Sequence, residues 1–215
     1  RYPLERSSAA SDVYKRQMLV RTNQIILDFN RDMWSYISID YFKQRNVPGE
    51  VGSSTMPHKI NPIDFENSEG NIGIGNSILE HMASKLLVSR WQRDLTDSTV
   101  LRNIGAAFAY CSLAYQATIK GISRVAVNEE KISEDLDKSW EVLAEAVQTI
   151  MRKYGLEEPY ERLKEATRGQ KITASSYLEV LGELKLPPEA YDELKDVRPD
   201  TYVGLATELC EETIK

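Results

Sequence analysis

The chain has 215 residues, with 27 Lys and Arg against 33 Asp and Glu, for a formal net charge of −6. That balance excludes a broad nucleic-acid footprint, which needs clustered positive charge. Two cysteines, Cys111 and Cys210, are too few for a disulfide framework and point to a reducing, cytoplasmic setting, and two histidines, His58 and His81, leave little for a His-based metal site.

The chain begins with Arg1 rather than Met, which reads either as processing or as a piece of something longer. Residues 1–17 show no clear period and no apolar stretch of secretory length. From Met18 to about Gln44 there is no Pro or Gly, and Leu19, Ile26, Phe29, Met33 and Ile37 recur at helical spacings. A helix of that length spans about 40 Å and suits a bundle. Val47 to Pro62 carries Pro48, Gly49, Gly52, Pro57 and Pro62 and reads as a loop.

A second long helix is expected from Ile63 to about Val88, with Phe65, Ile72, Leu79, Met82 and Leu86 on related faces. Gly70, Gly73 and Gly75 cost it up to about 1 kcal/mol each, which close packing or a nearby ligand can explain. A third is expected from about Thr96 to Ile119, capped by Asp94 or Thr96. Its Gly105, Ala106, Ala107, Ala109 and Ala114 suit burial. The uncharged run Asn103 to Ile119 is short for a membrane span of about 20 residues, and a buried bundle helix is the better reading.

After Gly121 the helices shorten. Asn128 is placed as the cap of a helix carrying Ile132 and Leu136. Trp140, Leu143, Ala144, Val147, Ile150, Met151 and Tyr154 trace one amphipathic stripe, which Gly155 ends. Pro159 fits a first turn, Thr173 precedes another helix that stops before Pro187 and Pro188, and Tyr202 to Cys210 gives a last helical face. Strand signals are nearly absent. The expected fold class is all-α: part of a long-helix bundle over 18–120, then a small all-α domain over 121–215, with 1–17 set apart.

The segment that carries chemistry is Gly52-Ser53-Ser54-Thr55-Met56-Pro57-His58-Lys59-Ile60-Asn61-Pro62. It combines small hydroxyls, one cation and an amide between two long helices, and loops on rigid scaffolds concentrate catalytic groups. Gly49 and Gly52 allow movement while Pro57 and Pro62 stiffen the far end, as in a lid hinged on one side. The plain alternative is a polar helix–helix connection.

These residues resemble the signature loop of the fumarase/aspartase superfamily, Gly-Ser-Ser-x-Met-Pro-x-Lys-x-Asn-Pro. With His58 in the second variable position and Ile63 to Asn71 following, the segment is similar to the adenylosuccinate lyase family of bacterial type. Argininosuccinate lyases usually have Gln at the position of His58, and fumarases and aspartases have Gly. A second block, Ser89-Arg90-Trp91-Gln92-Arg93-Asp94-Leu95-Thr96-Asp97-Ser98-Thr99-Val100-Leu101-Arg102-Asn103, agrees. The resemblance covers about Arg21 to Lys215 and implies that residues 1–17 are foreign to the family.

The resemblance implies cofactor-free and metal-free β-elimination of fumarate from adenylosuccinate and from the succinylated aminoimidazole carboxamide ribotide of purine synthesis. It implies Ser53 as the base, its alkoxide stabilised by Lys59, loop N–H groups and lid closure. Lys59 and Asn61 would hold the substrate carboxylate, with Ser54 and Ile60 beside them. Asn67, Arg93, Ser98, Thr99, Val100, Leu101 and Arg102 would complete substrate binding. Ser98 and Arg102, four apart, would share a helix face, and a helix start near Thr96 would offer N–H groups to a phosphate. His58 is expected to pack within the loop, His81 to be structural, and Trp34, Trp91 and Trp140 to be core or interface residues; Arg90 is left open.

The general-acid histidine of this family comes from an earlier part of the chain than anything here. The resemblance further implies a homotetramer whose sites draw on several subunits. Two other readings stand beside it: a catalytically silent helical oligomerisation fragment, and a superfamily relative acting on another amino acid, such as an argininosuccinate lyase.

Overall fold

The computed structural model describes residues 2–45, 61–88, 90, 95–169 and 171–214, with side chains from Val13 onward. The described residues are mostly helical, as expected, and the chain divides into two units, Arg1–Asn128 and Glu129–Lys215.

The first unit is built on three helices, α1 (Tyr2–Ser38), α2 (Ile63–Lys85) and α4 (Ile104–Ser123), with the short α3 (Thr96–Leu101) before the last. The central helix α2 packs against both α1 and α4. At the expected positions Phe65, Ile72 and Leu79, seven residues apart, and Met82 are almost wholly buried, while Leu86 is half-buried.

The expected stripe on α1 is displaced. Its buried face carries Val13, Arg16, Asn23, Asn30 and Met33, whereas Leu19, Ile26 and Ile37 are half-buried and Phe29 is exposed. The reason is a polar seam inside the bundle. Asn23 Nδ2 donates to Asn76 Oδ1 at 2.6 Å and to Cys111 Sγ at 3.3 Å, and the Tyr115 hydroxyl donates to Asn23 Oδ1. One heptad along, Asn30 Nδ2 donates to Ser68 Oγ at 2.9 Å, and the Thr118 hydroxyl donates to Asn30 Oδ1 at 3.0 Å. Ser68 Oγ and Thr118 Oγ1 lie 2.8 Å apart. These two layers fix α2 antiparallel and α4 parallel to α1.

The helix expected to run to Gln44 ends at Ser38. Asp40 adopts a left-handed φ of 66°, which Asp tolerates better than most residues. The Asn128 side-chain amide donates to the Asp40 carbonyl and carboxylate at 2.8 and 3.1 Å. The chain then extends as β1 (Phe42–Gln44), antiparallel to β2 (Val125–Val127), with Phe42 opposite Val127 and Gln44 opposite Val125. This ribbon of two three-residue strands is the strand content of the described residues, in keeping with the near-absence expected from the sequence. A three-residue strand is too short to show alternation, so its pairing is a tertiary property. It also ties Val125–Val127 to the first unit, which runs to Asn128.

The third expected helix is broken at Arg102 and Asn103. Asn103 Nδ2 donates to the Thr99 carbonyl at 3.2 Å and its N–H to the Val100 carbonyl at 3.0 Å, the backbone competition that disfavours Asn inside helices. Of the small residues expected inside, Ala107 and Ala114 are buried, while Gly105, Ala106 and Ala109 are exposed. Gly75 has a packing reason, since a Cβ there would stand 3.2 Å from Cys111 Sγ; Gly70 and Gly73 have none.

The second unit contains α5 (Glu129–Asp137), a 3-10 turn (Trp140–Leu143), α6 (Ala144–Lys153), α7 (Pro159–Ala166), α8 (Ala174–Glu183), α9 (Pro188–Leu194) and α10 (Ala206–Ile214). Trp140, Leu143, Val147, Met151, Leu163, Tyr177, Leu181 and Leu194 form one core. Gly155, at φ 69°, ends α6 as expected. Pro159 opens α7, and Thr173 caps α8 in a reciprocal pair of bonds with Ser176. Pro188 opens α9, a helix the sequence reading passed over. Tyr202 precedes α10 rather than joining it, and its hydroxyl bonds Glu145. Burial pushes the Tyr177 hydroxyl up to about 12, and it donates to the Leu194 carbonyl at 3.1 Å. Among the described residues no helix is long and apolar enough to cross a membrane.

Candidate functional site

Ser53, Ser54, Lys59 and Ile60, together with His58, Trp91 and Arg93, lie outside the described residues. The structure therefore speaks to what flanks the signature loop and to the second block.

Asn61 is half-buried, just before Pro62, which precedes the first turn of α2. Asp64 and Glu66 stand in that first turn, where carboxylates favour the positive end of the helix dipole. The two point different ways. Glu66 is exposed and accepts from Trp34 Nε1 at 3.0 Å, which makes Trp34 a half-exposed link between α1 and α2 rather than a core residue. Asp64 is buried, with Lys120 Nζ 3.0 Å from one oxygen and Arg124 Nη1 3.1 Å from the other.

Asn67 is exposed on the next turn, and its Oδ1 accepts from Asn71 Nδ2 at 2.8 Å. This places the predicted substrate-binding amide on an exposed part of α2, next to the buried Ser68.

Within the second block Thr96–Leu101 form α3, with Ser98, Thr99, Leu101 and Arg102 exposed and Val100 half-buried. α3 is only six residues long, and Arg102 stands at its C-terminal cap. The expected cap residue is corrected: Leu95 precedes the helix without a side-chain cap, and Thr96 is its first residue. The Ser98 N–H is already held by Asp97 Oδ1 at 2.6 Å. Of the N–H groups at the start of α3, that of Ser98 is therefore already engaged, while the Ser98, Thr99 and Arg102 side chains are exposed. Arg90 is likewise exposed.

Thr99, Val100 and Asn103, with Ser77, Ile78, His81 and Met82 of α2, line a cleft of about 440 Å3. His81 is exposed there, not enclosed in the core. The sequence carried one usable signal for this cleft: Ser77 and His81 are four apart on a helix and must share a face. Asn67 stands ten residues before Ser77, about 15 Å along the axis. Within one chain, Asn67 and the part of α2 that Thr99 and Val100 face therefore lie at separate levels along α2.

Residues 89–203 match the family profile described as "Adenylosuccinate lyase C-terminal", and residues 12–74 match that described as "Lyase". The second match reaches into the segment set apart at the N-terminus. Proteins named adenylosuccinate lyase are similar to this chain: that of Haemophilus influenzae is 55% identical over 193 residues, and that of Escherichia coli (strain K12) 54% over 194. That of Legionella pneumophila (strain Corby) is 54% identical over 193 residues. Each alignment covers 90% of this chain but 42% of the relative, so the chain spans about two fifths of the length of the curated relatives it matches.

Proposed function

The chain belongs to the adenylosuccinate lyase family, and on that premise we propose that it is the segment of a purine-biosynthetic lyase that supplies the catalytic base and part of the nucleotide site. The reaction is β-elimination of fumarate from adenylosuccinate, leaving AMP, and from the succinylated aminoimidazole carboxamide ribotide. The observation that carries this reading is the 55% identity with a named adenylosuccinate lyase across nine tenths of the chain.

Ser53 removes the proton next to the substrate carboxylate. Lys59 and loop N–H groups stabilise its alkoxide, and Lys59 and Asn61 hold the carboxylate as charge builds on it. Ser54 and Ile60 line the same end of the substrate. Asn67, Arg93, Ser98, Thr99, Val100, Leu101 and Arg102 bind the rest, with Arg93 and Arg102 suited to bidentate contact with phosphate or carboxylate. The general acid that protonates the departing nitrogen comes from outside these 215 residues.

The assembly is a cytoplasmic homotetramer with active sites shared between subunits. One feature supports that reading. Ile25, Phe108, Leu113 and Ile119 leave half or more of their surface exposed on α1 and α4, more than an isolated bundle normally leaves uncovered.

The test is adenylosuccinate cleavage by the full-length protein containing this segment. Ser53→Ala should lower kcat by about a thousandfold or more while largely sparing AMP binding; retained turnover removes Ser53 as the base. The 215-residue chain by itself should show negligible turnover, and a rate near that of the full-length protein would overturn the placement of the acid.

A further inference from the structure

Residues 46–60 lie between two described ends, Arg45 and Asn61, and both ends lead to one residue. On one side, the Arg45 N–H donates to the Arg124 carbonyl at 2.7 Å, continuing the β1–β2 ladder past the Gln44–Val125 pair. On the other, Asp64, three residues after Asn61, meets the Arg124 guanidinium at 3.1 Å. Arg124 stands at the C-terminal cap of α4, so its backbone and its side chain serve the two ends separately.

The attachment at Asp64 is reinforced. Lys120, one helical turn earlier on α4, takes the other carboxylate oxygen at 3.0 Å. The neighbouring Phe65 ring lies against Gly121, whose missing side chain makes room for it. The Asp64 side chain is 11% exposed, so it is a largely desolvated carboxylate shared by two cations. Such a group is strongly tied to its partners, because losing one leaves a largely buried carboxylate only half paired.

We propose that Asp64 and Arg124 are positioning residues for the elimination reaction: they hold the two ends of the signature loop at a fixed spacing and so set where Ser53, Lys59 and Asn61 meet the substrate. Neither residue touches substrate in this scheme. The inference rests on the reading of that loop as the catalytic one. Its physical basis is the sensitivity of catalysis to placement, where an error of about 1 Å costs on the order of a hundredfold, and the need for a second layer of residues to fix the reacting groups.

The experiment is steady-state kinetics of adenylosuccinate cleavage in the full-length protein, well below each variant's melting temperature. Asp64→Asn and Arg124→Met should lower kcat by about tenfold or more and leave KM within about threefold. Arg124→Lys, which keeps a cation near Asp64, should recover a good part of that loss. A merely structural pair would lower the melting temperature and leave kcat of the folded protein unchanged, and that result overturns the proposal. If Asp64→Asn does not fold, the decision passes to Lys120→Met, which keeps the Arg124 contact: a fall of about two- to fourfold in kcat supports the proposal, and a wild-type value overturns it. Ser53→Ala run alongside separates the two levels. An active Ser53→Ala removes the functional reading itself, whereas an inactive Ser53→Ala beside a fully active Asp64→Asn removes only the positioning role.

Discussion

At the scale of single residues, Gly121 shows how a position without a side chain can govern its neighbours. A Cβ at 121 would stand 2.8 Å from Cζ of the Phe65 ring, and Phe65 is 1% exposed. Gly121→Ala should gain helix propensity of up to about 1 kcal/mol and lose more to overpacking, for a net destabilisation of about 1–2 kcal/mol. Thermal unfolding checks this, and a variant as stable as the parent would show that the ring shifts freely. In the sequence Gly121 read only as the point where the texture changes. Its role depends on a ring 56 positions earlier in the chain, which no local pattern encodes. Asp64 is similar. Its place in a helix first turn was legible, but the two cations that bury it come from another helix.

At the scale of elements, the apolar part of the α2 stripe was legible because Phe65, Ile72 and Leu79 recur every seven residues, whereas the buried Asp64, Ser68 and Asn76 of the same helix were not. The α1 stripe was not, because α1 buries Asn23 and Asn30, and a hydrophobicity pattern passes over buried amides. Each amide has partners on both neighbouring helices, so each layer ties three elements at once. Thr118→Val keeps the side-chain shape and removes one hydroxyl from the Asn30–Ser68–Thr118 layer. It should cost about 1–3 kcal/mol, because Asn30 Oδ1 and Ser68 Oγ each lose a buried partner. Replacing all three together (Asn30→Leu, Ser68→Ala, Thr118→Val) should cost clearly less than the sum of the three single changes, since no polar group is left unpaired. Denaturant titration of the four variants measures this, and strict additivity would show that the layer is not a coupled unit. The ribbon β1–β2 and the break at Asn103 were illegible for the same kind of reason: both are decided by partners distant in sequence or by one side chain's competition for the backbone.

At the scale of the whole molecule, the two units differ in how completely each buries its own apolar residues. The first has a small shared core around Leu79, Ala107 and Cys111, supplemented by polar layers, and leaves Ile25, Phe108, Leu113 and Ile119 largely uncovered. The second gathers Trp140, Leu143, Met151, Leu181 and Leu194, each under 7% exposed, from the 3-10 turn and three different helices. Its helices also carry their own stop and start devices: Gly155, Pro159, the Thr173–Ser176 capping pair and Pro188. Those devices are local, which is why most of this unit could be read from the sequence in order. A unit with a closed core and locally specified helices should fold without help. Residues 129–215 expressed alone should therefore unfold in a single cooperative urea transition, with an m-value of about 1 kcal/mol/M and a blue-shifted Trp140 emission that moves red on unfolding. Residues 1–128 alone should instead self-associate or bind hydrophobic dye, because Ile25, Phe108, Leu113 and Ile119 expose apolar surface on α1 and α4. A broad, non-cooperative transition for 129–215 would mean that its core is completed by contacts outside the segment. The burial of Trp140 against Tyr177, with ring centroids 5.6 Å apart, argues against that outcome, since both rings belong to this unit.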